Sequence, residues 1–232
     1  MKKIKIFYDG VDLDFIKKNK DNLDGVTTNP TLMNSYGIKS YIDFSRELID
    51  IVPEKPVSLE IFADEHEEMK TQALKISSWG ENIYVKIPIT NSLGESTKYL
   101  IHDLIEQNVK LNITAIFTLN QVEEISDVFK NSENNILSIF CGRIADAGES
   151  PIKIINDTKK YIDSSGLKID LLWASAREAY NIIEATESGC DIITLNENLI
   201  NKMQLFGKDL TEFSLETVKM FKSDAESAGY EI

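Results

Sequence analysis

Eight short runs of aliphatic and β-branched residues recur along the chain, at positions 4–8, 25–28, 57–62, 83–88, 111–115, 136–141, 169–174 and 191–195. Each has the length of a buried strand. Between them the apolar positions return at helical spacing, over 38–51, 67–79, 97–107, 119–129, 152–162 and 177–187. Within 67–79, Met69, Ala73, Leu74, Ile76 and Trp79 share a stripe that reads as core rather than as a cofactor contact. Thr118 with Gln121, and Ser175 with Glu178, have the spacing of capping boxes. Ser150-Pro151 places proline at a first helical position. The alternation keeps the interval of a strand plus a crossover helix. Eight such units predict an α/β protein, a single (β/α)8 TIM barrel. An open doubly wound sheet fits less well, because no Gly-x-Gly-x-x-Gly turn follows any run.

After the eighth run come an apolar stretch over 198–206, a polar start at Asp209, and a last helix from 215 to about 228 carrying Val218, Met220, Phe221 and Ala225. Barrel closure does not need this tail. The expectation is one domain over 1–232, with 208–232 a helical extension packing on a neighbouring subunit.

The strand period also says where chemistry should lie. Over 83–88, Ile83, Val85 and Ile87 point one way and Tyr84, Lys86 and Pro88 the other. A lysine in so apolar a strand must reach water, find a carboxylate or lose its proton. Barrel sites lie at the C-terminal strand ends, and six runs bring polar groups there. These are Asp9; Thr27-Thr28-Asn29-Pro30; Ser58 and Glu60; Asn112 and Thr114; Ser138 and Phe140 with Gly142-Arg143 in the following loop; and Ser175-Ala176-Arg177. Taken singly, each has a plain reading. Asp9 and Ser175 suit helix caps, Arg143 suits a surface pair with Asp146, and Thr27-Thr28-Asn29-Pro30 suits a turn. Glu60 is harder to dismiss, since a carboxylate inside an apolar strand needs a partner. Their convergence predicts a pocket.

An amine nucleophile beside two carboxylates, Asp9 and Glu60, suits Schiff-base chemistry and its proton transfers. Asn29, Asn112, Thr114 and Ser138 suit the hydroxyls of a polyol. Arg143, Arg177 and Ser175 suit an anion, at the place where such barrels often hold phosphate. A phosphorylated sugar and an aldol cleavage or transfer follow.

Composition sharpens this only in part. The net charge of −13, from 25 basic and 38 acidic residues among 232, argues against nucleic acid and anionic membrane as partners. No run approaches the roughly 18 apolar residues of a membrane span. The N-terminal apolar run is too short for a signal peptide, so a cytoplasmic location is expected. Cys141 and Cys190 lack metal-type spacing and read as reduced buried thiols. His66 and His102 stand alone on helix surfaces. No metal and no cofactor is expected.

Five segments together resemble a known family: Gly25-Val-Thr-Thr-Asn-Pro30, Val85-Lys-Ile-Pro88, Phe140-Cys-Gly-Arg-Ile-Ala-Asp146, Trp173-Ala-Ser-Ala-Arg177 and Gly189-Cys-Asp-Ile-Ile-Thr194. The chain is similar, nearly end to end, to the transaldolases, and most to the short branch shared with the fructose-6-phosphate aldolases. The resemblance implies a class I aldolase barrel whose Schiff-base lysine is Lys86. It implies Asp9 as the acid/base at the substrate hydroxyl, with Glu60 and Thr114 holding a water that relays protons. Asn29, Asn112 and Ser138 would bind the dihydroxyacetone part and Arg143, Ser175 and Arg177 the phosphate, with Thr27 and Phe140 as further substrate-binding residues. It also implies a homo-oligomer, a ring of five or ten subunits whose C-terminal helix reaches a neighbour.

Fructose-6-phosphate aldolases carry glutamine in place of Glu60 and tyrosine in place of Phe140, so this chain resembles the transaldolases at both, as it does at Asn112. Without a tyrosine hydroxyl to protonate the enamine, the intermediate should wait for an aldehyde acceptor. The implied reaction is transfer of a dihydroxyacetone unit from sedoheptulose 7-phosphate or fructose 6-phosphate to glyceraldehyde 3-phosphate or erythrose 4-phosphate, as in the pentose phosphate pathway. An aldolase releasing free dihydroxyacetone and a non-catalytic sugar-phosphate-binding barrel are the alternatives. Ala176 and Asn196 depart from the family pattern on the phosphate side.

Overall fold

Strand residues that alternate in chemistry rather than in mere hydrophobicity set this architecture. The computed structural model describes residues 3–232. Eight parallel strands close into a barrel in sequence order: β1 Lys5–Asp9, β2 Gly25–Thr27, β3 Val57–Glu60, β4 Ile83–Pro88, β5 Leu111–Ile116, β6 Asn135–Ile139, β7 Ile169–Trp173 and β8 Ile192–Leu195. The helices are α1 Leu13–Asn19, α2 Pro30–Ser35, α3 Tyr41–Ile51, α4 His66–Ser77, α5 Lys98–Ile105, α6 Leu119–Ile125, α7 Cys141–Asp146, α8 Pro151–Ser165, α9 Asn181–Glu187, α10 Glu197–Lys202 and α11 Leu210–Ala228. The (β/α)8 expectation is met.

One strand parity is apolar and buried all the way round: Val26, Val57, Leu59, Val85, Ile87, Leu111, Ile113, Ile139, Leu171, Trp173 and Ile193. The amphipathic helices cover that face. The other parity faces the barrel axis. It holds an apolar cluster of Phe7, Ile136, Leu172, Ala174 and Ile192, with Tyr84 and Phe140 packed against it. Gly25 makes room for this layer. A Cβ there would meet the Phe7 ring at 2.6 Å. Beside this layer, at the C-terminal strand ends, lie the inward polar residues Asp9, Glu60, Lys86, Asn112 and Ser138.

Several element ends differ from the sequence expectation. Thr118 and Gln121 form the capping box in full, and Pro151 opens α8. The Ser175–Glu178 box does not form. Ser175 adopts φ 63, and α9 starts only at Asn181, whose Oδ1 accepts from the Arg177 and Glu178 amides. The 136–141 run stops at Ile139, and Gly142-Arg143, expected in a loop, lies in α7. α1, α2 and α7 are six or seven residues long, too short to show periodicity. Instead Asp12 and Asn29 mark α1 and α2 by accepting amide hydrogens from Phe15 and Leu32.

The chain divides into two compact units, Met1–Ile200 and Asn201–Ile232. The second begins earlier than the expected 208. Its helix α11 starts at Leu210 rather than 215, capped by Asp209, and ends at Gly229 in the left-handed region. No residue of α11 is buried, and Leu210, Phe213, Val218, Met220 and Phe221 are all exposed. No helix among the described residues is long and apolar enough to cross a membrane.

Because Gly25 and the Phe7 ring share one space, Gly25→Ala should destabilise the protein by about 1–3 kcal/mol. Thermal or urea denaturation checks this, and an unchanged midpoint would contradict the packing.

Candidate active site

Polar residues on neighbouring strands meet because the register aligns them. Asp9 pairs with Thr27, Glu60 with Lys86, and Lys86 with Asn112. They lie at the C-terminal ends of the strands, in a cavity of about 540 Å³. All twelve residues given a catalytic or binding role from the sequence line it: Asp9, Thr27, Asn29, Glu60, Lys86, Asn112, Thr114, Ser138, Phe140, Arg143, Ser175 and Arg177; Thr28 and Ser58, also expected at the mouth, do not.

Lys86 is 6% exposed. Its Nζ donates to the Thr28 carbonyl at 2.8 Å and lies 3.0 Å from Glu60 Oε2. These partners take up two of its three donors. Glu60 is in turn held from behind. The Tyr41 hydroxyl donates to the Glu60 carbonyl at 2.9 Å, and Gln72 Oε1 accepts from the Phe62 and Ala63 amides just beyond. Burial pushes the Tyr41 phenol far above its ordinary range, so it stays a donor.

Two hydrogen-bonded chains flank the lysine. On one side Ser138 donates to Asn112 Oδ1 at 2.7 Å, and Asn112 Nδ2 donates to Ser58 Oγ at 3.0 Å. On the other, Thr27 Oγ1 donates to Asp9 Oδ1 at 3.1 Å and lies 2.6 Å from Thr194 Oγ1. Loss of hydration raises the Asp9 carboxyl above its usual value. The nearby Lys86 charge and the Thr27 hydroxyl oppose that rise, and the Glu60 charge adds to it.

The backbone is irregular at the rim. Asn112 and Ile113 pair with Ile136 and Leu137, but the next pairing is Ile116 with Ile139. Thr114 and Ala115 thus face one residue, Ser138, across a bulge, and Ala115 adopts φ 58. The bulge brings both into the cavity wall. Thr114 Oγ1 is buried and has no hydrogen-bond partner among the described residues. Ser175, the second lining residue at positive φ, sits against α7, where a Cβ on Gly142 would meet the Ser175 carbonyl oxygen at 1.6 Å.

The two arginines differ. Asp146 pairs with Arg177 and not with Arg143, the partner considered from sequence. Arg143 has no carboxylate partner among the described residues and lies over the Phe140 ring, 5.9 Å from its centroid. The departures also separate. Asn196 caps α10, accepting from the Leu199 amide at 3.0 Å, and Ala176 is buried beside the wall. Burial raises both thiols, Cys190 to about 12.

Sequence reasoning missed Thr31, Leu32, Ala115, Leu172, Ala174 and Thr194 in the wall. Thr194 has the inward parity of β8, so the alternation applied to the other strands would have found it. Ser58, named for its parity alone, proves to support Asn112.

The transaldolase/fructose-6-phosphate aldolase family model matches residues 6–232. A protein named probable transaldolase 2 from Listeria monocytogenes is 32% identical over 215 residues, covering 92% of this chain and 93% of its own. One named probable transaldolase from Sulfurihydrogenibium sp. is 32% identical over 226 residues and 97% of each chain. Among solved structures, 3-hexulose-6-phosphate synthase from Salmonella typhimurium superposes with a TM-score of 0.57 at 16% identity, covering 83% of this chain and 89% of that one. That likeness is one of fold.

A carboxyl raised by burial is easier to protonate folded than unfolded. Its stabilising contribution is therefore complete below the ordinary carboxylate range and is lost as pH rises through the folded value. Asp9→Asn should consequently melt higher than the parent at pH 8, with a gain that shrinks as pH falls. Melting curves across that range check the sign; a lower melting point at pH 8 would contradict it.

Proposed function

The chain belongs to the transaldolase/fructose-6-phosphate aldolase family, and on that premise we propose that it is a transaldolase working through a Schiff base on Lys86. The observation that carries the reading is the buried Lys86 ammonium, 3.0 Å from the Glu60 carboxylate in a cavity that Asp9 also lines. A lysine can attack a ketone only after losing a proton, and Glu60 is within reach to take it. Dehydration of the carbinolamine then needs an acid. The Thr114 hydroxyl, without a partner among the described residues, is suited, with Glu60, to hold the water that shuttles those protons. Asp9 takes the proton of the substrate hydroxyl whose loss breaks the carbon–carbon bond. Its raised proton affinity suits a group that must accept that proton and later return it.

Substrate placement follows from the same wall. The Ser138–Asn112–Ser58 chain and Asn29 offer donors and acceptors to the dihydroxyacetone hydroxyls. Arg143, free of any carboxylate partner among the described residues, is the principal phosphate cation. Arg177, shared with Asp146, is the second, and Ser175 assists. Phe140 closes the wall with a ring and no acidic proton, which favours an enamine that waits for an acceptor. The donor is a ketose phosphate such as fructose 6-phosphate or sedoheptulose 7-phosphate. The acceptor is an aldose phosphate such as glyceraldehyde 3-phosphate or erythrose 4-phosphate, which places the reaction in the pentose phosphate pathway. The reading carries a cytoplasmic location with it.

Borohydride with fructose 6-phosphate should form a covalent adduct on Lys86 and none in Lys86→Ala, read by peptide mass. An adduct surviving at another lysine would sink the assignment. Turnover of fructose 6-phosphate should require an aldose phosphate. Release of free dihydroxyacetone without one would make the protein an aldolase, and no adduct at all would favour a binding barrel.

The reading also makes the protein an assembly of identical subunits, with 208–232 packing on a neighbour. The exposed apolar stripe of α11 supports this. Light scattering should give a mass of five or ten chains for the parent and a smaller one for Phe221→Glu; a 26.2 kDa particle would refute it.

A further inference from the structure

Asp9 does not end its hydrogen-bonded chain at the first hydroxyl. Thr27 Oγ1 lies 3.1 Å from Asp9 Oδ1 and 2.6 Å from Thr194 Oγ1. Thr27 and Thr194 are both buried, so bulk water does not replace either partner. A hydroxyl has a single proton to give. While Asp9 is a carboxylate it can only accept, so Thr27 donates to it and must itself accept from Thr194. Once the carboxyl holds a proton and donates it, the chain reverses and Thr27 donates to Thr194. The three residues span β2, β1 and β8, across the seam where the barrel closes. There Asp9 pairs with Thr27 and Phe7 with Thr194. Thr194 lines the cavity, yet the catalytic reading gives it no task.

We infer that Thr194 is a positioning residue that sets the proton affinity of Asp9 through the Thr27 hydroxyl. The inference rests on the proposed role of Asp9 as acid/base. Donation from Thr194 polarises the Thr27 hydroxyl, and a polarised hydroxyl is the stronger donor. A bond to an ionised acceptor gains more from this than the reversed bonds between neutral groups. Thr194 therefore favours the carboxylate. Lys86 on β4 acts in the same direction. Glu60 on β3 and the loss of hydration act against both. β2 and β8 bring only hydroxyls to Asp9, and Arg143 and Arg177 stand in the wall of the same cavity.

The Asp9 carboxyl can be followed without turnover, by carbon-13 NMR of the full-length protein carrying labelled aspartate. Its signal is assigned by its loss in Asp9→Asn. Thr194→Val should raise its titration midpoint by about half a pH unit, and Thr27→Val by more. Thr194→Ser keeps the hydroxyl and should keep the wild-type midpoint. The acidic limb of kcat should move upward with it, while KM for the donor sugar stays. A midpoint unmoved in Thr194→Val, or raised equally in Thr194→Ser, overturns the inference. Thr194→Ala replaces the valine variant if the latter does not fold. If the midpoint moves as expected but the wild-type protein transfers nothing, the coupling stands and the transaldolase reading falls. If the protein transfers normally and the midpoint stays, the coupling alone falls.

Discussion

A buried ammonium must have its charge met nearby, and the interior of this barrel is arranged around that demand. Lys86 sits where water reaches it only through the cavity, and Glu60 and the Thr28 carbonyl supply what bulk solvent does not. Glu60 can do so only because β3 pairs it in register with Lys86 and because Tyr41 and Gln72 hold the end of that strand. The polar interior in turn requires that the outward strand faces carry the hydrophobic packing. Val57, Leu59, Val85, Ile87, Leu111 and Ile113 do this against the helices, each with no measurable exposure. The core of the molecule is the sleeve between strands and helices, and the axis is left for chemistry.

Much of this was legible because a strand has period two. Alternation alone placed Lys86, Glu60, Asn112 and Ser138 on one side, and a closed sheet has only one inside. The (β/α)8 architecture followed from eight repeats of strand and helix. What could not be read arose from backbone that leaves those periods. Ser175 resembled a helix cap because Glu178 stands three residues on, but its left-handed conformation sends the chain along the rim before α9 begins. α1, α2 and α7 each span fewer than two full turns, so hydrophobic spacing had nothing to register. The choice of Arg177 over Arg143 as partner of Asp146 depends on where the end of α7 meets the segment after β7, which no local spacing encodes.

Two of the four irregular positions among the described residues fall at the cavity. Of the non-glycine residues with positive φ, Ala115 and Ser175 both line it. At Ala115 the bulge lets one strand contribute two consecutive residues to the wall, which a regular strand cannot do. The local conformational cost, about 1 kcal/mol for such a residue, is borne by strands that are otherwise tightly paired. It leaves Thr114 with a hydroxyl that no described residue satisfies.

Gly142 has a wider consequence. Its backbone lies so close to the Ser175 carbonyl that no side chain fits between them. The segments after β6 and β7 therefore behave as one plate, with Arg143 and Ser175 riding on it together. A sequence drifting toward a new substrate would find these two positions inherited as a block. Diversification has freer ground on the opposite rim, at Pro30, Thr31 and Leu32, where α2 meets the same opening.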